Sequence, residues 1–203
     1  MSELGLFPLP LVLLPTERVP LHIFEERYRE LIGECLESDR EFGLVYADDD
    51  GLRDIGTRAR VTEVLARAPD GRMDILVEGG RRFRLLELTS GRSFQTGEVS
   101  AVEDEDDPAD SESIARAVGL FDRLRDLTGS DVDVPDPGSE QLSFVLAGLV
   151  ELPPDDKLQL LRAVSERSRM ARVCELLESA LVTTQHVREA AERAATNGRV
   201  HVE

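Results

Sequence analysis

The chain has a single lysine, Lys157, among its 203 residues. A phosphate-binding loop of the form G-x-x-x-x-G-K-[ST] could end only there, and no glycine precedes it at that spacing. A serine nucleophile activated by a lysine meets the same limit. Lys157 stands beside Asp155 and Asp156 at a helix start, an exposed, ion-paired setting unfit to activate a serine. Histidine is equally sparse: His22, His186 and His201 are too far apart for any local ligand spacing. No C-x-x-C, H-x-x-x-H or H-E-x-x-H pattern occurs, so neither a zinc site nor any other cofactor is expected. Asp48, Asp50 and Gly51 offer part of a calcium loop, but Tyr46 and Thr57 stand where further acids are needed. The two cysteines, Cys35 and Cys174, fall in separate helical patterns and read as buried thiols of a reducing compartment, the cytoplasm. No apolar run reaches the roughly 18 residues of a membrane span. The best stretch, residues 4–14, is broken by prolines and lacks a basic residue before it, so it is not a signal peptide.

What the chain has in excess is negative charge. Its 41 acidic residues outnumber 24 basic ones, giving a formal net charge of −17. That balance opposes nucleic-acid binding, which needs concentrated Lys and Arg, and favours solubility or a basic partner. Arg81, Arg82 and Arg84 are a small basic exception. They read as a solvated strand face or as a contact for an acidic partner.

Residues 7–32, FPLPLVLLPTERVPLHIFEERYRELI, form an apolar extended run that passes straight into a charged amphipathic helix. Pro8, Pro10, Pro15 and Pro20 fix φ and remove backbone donors, which predicts an edge strand that bends sharply. The helix is expected over 25–38, with Tyr28, Leu31, Ile32, Cys35 and Leu36 on one face. A strand over 42–47 and an acidic turn follow. Strands over 56–68 and 72–88 flank Pro69-Asp70-Gly71, a hairpin signal, and Gly79-Gly80 marks a bulge in the second. Residues 94–102 can add a last strand. The first 103 residues therefore imply a small, nearly closed antiparallel barrel with one helix.

Residues 104–112 are too acidic to pack and predict a linker or exposed loop. The period then becomes helical. Ile114, Val118, Phe121 and Leu124 mark one helix ending near Gly129. Leu142, Val145, Leu146 and Leu149 mark a second, with Ser139 as its N-cap. A third starts at Pro153-Pro154 and runs unbroken through Leu181. The tail after about Ala195 has no apolar pattern and is expected to fray. The architecture expected is α+β: a β-barrel-like subdomain over 1–103 and a helical bundle over 113–203.

The PLHIFEERYRELI run, Phe42-Gly43-Leu44-Val45, the Gly56–Val61 segment GTRARV, Pro69-Asp70-Gly71 and the Val77–Arg82 segment VEGGRR occur in the order seen in the amino-terminal substrate-binding domain of Lon proteases, which this chain resembles over most of its length. The resemblance implies a β subdomain of the PUA-like kind followed by a helical bundle. It also implies a non-catalytic role, because the ATPase and peptidase domains of that family have no counterpart here. The implied partners are unfolded or extended polypeptide segments, or a separate protease or other partner protein served in trans. Neither nucleic acid nor membrane is expected as a partner. A hydrolase with an unrecognised site and an RNA-binding barrel are the alternatives; the single lysine opposes the first and the net charge the second.

A binding surface is expected in the opening stretch. Phe7, Leu9, Leu11 and Phe24 would line an apolar groove beside free strand edges, and Arg27 and Glu30 would form its polar rim. The competing reading is that the apolar four simply close the β core.

Overall fold

The computed structural model describes residues 2–197, and the expectation for the end of the tail concerns residues outside that range. Six strands come first: β1 (Ser2–Leu9), β2 (Arg18–Ile23), β3 (Phe42–Asp48), β4 (Gly51–Arg67), β5 (Met73–Thr89) and β6 (Thr96–Ala101). One helix, α1 (Glu26–Ser38), separates β2 from β3. Four more follow: α2 (Ser111–Thr128), α3 (Leu142–Gly148), α4 (Pro154–Arg162) and α5 (Glu166–Asn197). The fold is α+β.

The sheet runs β2-β5-β4-β3-β1-β6, and β6 also pairs with β5. Five strands therefore close on themselves, and β2 lies on the outside of the first half of β5. One pairing departs from the antiparallel expectation: β1 and β3 are parallel, with Leu6 opposite Gly43 and Leu9 opposite Tyr46. The chain returns to β1 only after β2 and α1, and such a crossover delivers a parallel neighbour. The opening strand is not a free edge. Residues 6–9 pair with β3 and residues 2–5 pair antiparallel with β6. Pro8 is tolerated because that half of the strand has its ladder on one side.

Three clusters form the core. Phe7, Leu13, Ile23, Tyr28, Ile32, Phe42 and Ile75 sit between α1 and the barrel. Leu4, Leu6, Val45, Phe83 and Val99 fill its other end. The helices bury Phe121, Phe144, Leu161, Met170 and Leu177 together with Val12, Leu14 and Ile55. Alternation along the extended strap between β1 and β2, residues 10–17, decides this: Leu13 points into the barrel cluster while Val12 and Leu14 point into the helical one. Between them the Leu13 carbonyl accepts from Thr57 Oγ1 at 2.6 Å. The strap turns at Thr16, held at φ 68°, an unusual conformation for a β-branched residue. Thr16 N donates to the Gly79 carbonyl at 2.7 Å, and Gly79 N donates back to Glu17 at 2.9 Å. A Cβ on Gly79 would lie 2.0 Å from the Leu14 carbonyl oxygen, so the close approach requires glycine.

Five further expectations change. The acidic stretch packs: Asp104 receives both Arg82 and Arg169, Asp107 receives Ser165 Oγ at 2.6 Å, and Asp110 caps α2 through Ser113 N at 2.8 Å. Charge excludes a segment from the core only when no opposite charge awaits it, and here two buried arginines do. Arg82 accordingly leaves the solvated face, and its acidic partner is intramolecular. The long third helix is broken. Ala163 takes an extended conformation, and Ser165 restarts the chain by accepting Ser168 N at 3.0 Å. Helix α3 starts not at Ser139 but after Gln141, at φ 52°. Lys157 is buried rather than exposed, and its Nζ donates to Glu17 Oε1 at 2.5 Å.

Candidate functional site

The six residues singled out in the opening stretch separate into three environments. Phe7 is 3% exposed, and its ring centre lies 4.0 Å from that of Tyr28 and 6.1 Å from that of Phe42. It is core. Leu9 and Leu11 are half-buried against the same cluster. Phe24 follows the last residue of β2 and is 59% exposed. The reason lies in the register: Ile23 points into the barrel opposite Met73, so the next side chain must point out.

Phe24 is nonetheless held. Its ring stacks on His22 at 5.8 Å between centroids, and His22 Nδ1 lies 2.6 Å from Asp74 Oδ1 on the neighbouring strand. Arg27 lies over the Tyr28 ring at 4.5 Å and pairs with Glu25 at 2.8 Å. Glu30 accepts from Ser93 Oγ at 2.5 Å, which ties α1 to the segment before β6. The exposed group is thus Phe24 with Arg27 and Glu30 on the first turns of α1. His22 and Asp74 belong with it, although no sequence signal joined them. Their partnership comes from the β2–β5 register, across 52 positions of chain.

The polar side chains are densest at the junction of the barrel with the helices. Arg169, fully buried, donates to Asp104 Oδ1 at 2.7 Å, Glu166 Oε2 at 2.6 Å and the Ala163 carbonyl at 2.8 Å, and its Nε donates to Ser143 Oγ at 3.2 Å. Arg82 adds bonds to the Leu161 and Ala163 carbonyls at 2.8 and 2.6 Å. Both guanidiniums lie over the Phe144 ring, at 5.4 and 4.3 Å. Burial opposes the Asp104 carboxylate, but the bonds and charges of Arg169 and Arg82 outweigh it and hold its pKa below the usual range. Every strong group here has its partner inside the protein, so the cluster joins the two halves and leaves no reactive group free. Lys157 is spent likewise on Glu17. Cys35 is a buried thiol whose pKa is pushed up to about 11, first by burial and then by Glu34. Neither is a nucleophile in waiting. No group of three or more His, Cys, Asp or Glu suited to a metal ion occurs among the described residues, and none of the described helices is long and apolar enough to cross a membrane.

A closed barrel buttressed by helices, with Phe24 exposed at a strand end beside a helix start and further apolar side chains such as Leu65 and Leu88 exposed elsewhere, defines an α+β scaffold. Residues 3–179 match the family model of the ATP-dependent protease La (LON) substrate-binding domain, and the chain belongs to that family. The Lon protease of Anaeromyxobacter dehalogenans is 29% identical over 183 residues, covering 82% of this chain and 22% of that protein. The chain thus spans about a quarter of the length of such relatives. Among solved structures, the Lon N-terminal domain protein from Xanthomonas campestris has 28% identity and a TM-score of 0.67, covering 85% of this chain and 97% of its own. The N-terminal domain of Mycobacterium avium complex Lon protease shares the fold at 18% identity, with a TM-score of 0.64 over 87% of this chain and 98% of its own.

Proposed function

We propose that this chain is a non-catalytic cytoplasmic module that holds unfolded or extended polypeptide, with Phe24 as apolar anchor and Arg27 and Glu30 as its rim, and that it serves a separate protease or other partner in trans. The observation that carries this reading is the family membership over residues 3–179, a substrate-binding domain. The exposure of Phe24 beside a mixed-charge helix start supports the choice of surface, since an aromatic group with adaptable polar neighbours suits varied chains better than one fixed ligand. Leu9 and Leu11, half-buried against the core cluster, belong to the proposed surface, and Phe7 packs on Tyr28, the ring under Arg27. The internal use of Lys157 by Glu17 supports the absence of peptidase chemistry.

The test is binding of a reduced, carboxymethylated model protein, followed by fluorescence anisotropy, alongside a cleavage assay with and without ATP. The expected result is binding without cleavage, and weaker binding by the Arg27→Ala/Glu30→Ala variant at nearly unchanged stability, because exposed charges contribute little. Equal binding by that variant moves the site elsewhere. Cleavage that survives purification and disappears on replacing one serine makes the chain a hydrolase.

A further inference from the structure

On the face formed by α2, α5 and the segment after α3 lies a groove of about 590 Å³. Phe121, Leu124, Leu149, Leu152, Leu176 and Ala180 give it an apolar side, and Thr128, Ser179, Thr183 and Thr184 line it with hydroxyls. Leu149 stands at its mouth, 43% exposed. This volume lies in the range of sites that take several large side chains.

The charge around the groove is one-sided. From Asp126 to Asp156 the chain carries eight carboxylates and neither lysine nor arginine. The cations that reach the rim come from the flanking helices and are already matched. Arg125 is held by Asp122 at 2.7 Å and by Asp126 at 3.0 Å. Arg172 is held by Asp156 and Glu175, both at 2.7 Å. Glu151, which lines the groove, and Asp155, which adjoins it, have no ion pair of their own among the described residues. Asp131 and Asp133 follow Ser130 of the lining on an exposed loop. An apolar trough under surplus negative charge disfavours an acidic or neutral occupant relative to one whose apolar side chains are flanked by Lys or Arg.

We infer that this groove docks a polypeptide segment that combines apolar side chains with lysine or arginine. It is a second surface, distinct from the Phe24 patch, and it rests on the reading that the chain binds polypeptide. The apolar side chains fill the trough beside Leu149, and the basic ones meet Glu151 and Asp155.

The experiment uses the full chain and two fluorescein-labelled peptides with the same leucine spacing, one carrying lysine and the other glutamate at every remaining position. The lysine peptide should bind at least about tenfold more tightly, and a rise in salt should narrow the gap. Glu151→Gln/Asp155→Gln and, separately, Leu149→Ser should each weaken it by about tenfold. Glu37→Gln/Glu63→Gln, which removes two exposed charges elsewhere, should leave it unchanged. Thermal melts alongside confirm that every variant is folded. Equal binding of the two peptides, equal weakening by the distant pair, or no effect of the groove variants each overturns the inference. The carboxymethylated model protein is measured in the same assay. If it binds while the lysine peptide does not, only the groove falls; if neither binds, the polypeptide-binding reading falls with it.

Discussion

Phe7 and Phe24 belong to the same apolar run, yet their substitutions should have opposite consequences. Phe7 is packed between Tyr28 and Phe42, so Phe7→Ala opens a cavity and should cost about 3–5 kcal/mol of unfolding free energy. Phe24 touches chiefly His22, and Phe24→Ser should cost within about 0.5 kcal/mol while weakening capture of an unfolded client. Urea unfolding separates the two, and a large stability loss on changing Phe24 would assign it to the core. The sequence offered both as apolar residues of an extended run. It contained no mark of which side each would face, because that depends on where β2 ends and on Met73 opposite Ile23.

The elements themselves were largely legible. The face of α1, the hairpin at Asp70-Gly71, the end of α2 at Gly129 and the bulge beside Gly80 follow from local chemistry that each residue carries with it. The break between α4 and α5 was not, since the apolar spacing runs through it. What ends α4 is demand from elsewhere: the Ala163 carbonyl faces Arg82 and Arg169, and Ser165 reaches both Asp107 and Ser168 N. Ser165→Ala should therefore cost about 1 kcal/mol, as the loss of an N-cap does, with the extra loss of the Asp107 bond. Gly79→Ala should cost about 1–3 kcal/mol, because its Cβ meets the Leu14 backbone rather than a movable side chain. Denaturant midpoints of the two variants check both, and an unchanged midpoint for Gly79→Ala would mean that the strap can move away.

At the scale of the molecule, Asp104 is the joint between barrel and helices, and its chemistry gives the protein a pH dependence. Its carboxyl pKa is lowered in the folded state, so its contribution to stability is complete above the unfolded value of about 4 and is lost as pH falls through the folded one. The parent should lose stability on going from pH 7 to pH 3, and Asp104→Asn, already less stable at pH 7, should lose less over the same interval. Equal losses measured by urea unfolding at the two pH values would remove Asp104 from the acid response. We also propose that the division into residues 1–103 and 113–203 is one of architecture rather than of independent folding. Val12, Leu14 and Ile55 are covered by the helices, so the fragment of residues 1–103 alone should expose them and bind a hydrophobic dye.

The sequence by itself determined the kinds of element, their order and the absence of a local phosphate loop or metal motif. Those depend on proline, glycine, periodicity and spacing within a few residues, which act wherever the chain goes. Tertiary structure alone decided the parallel pairing of β1 with β3, the burial of Lys157 against Glu17 and of Arg82 and Arg169 against Asp104, and the surfacing of Phe24. Each joins groups far apart in the chain. A charge or an aromatic ring is inside or outside according to the partner that folding brings to it, and local sequence does not contain that partner.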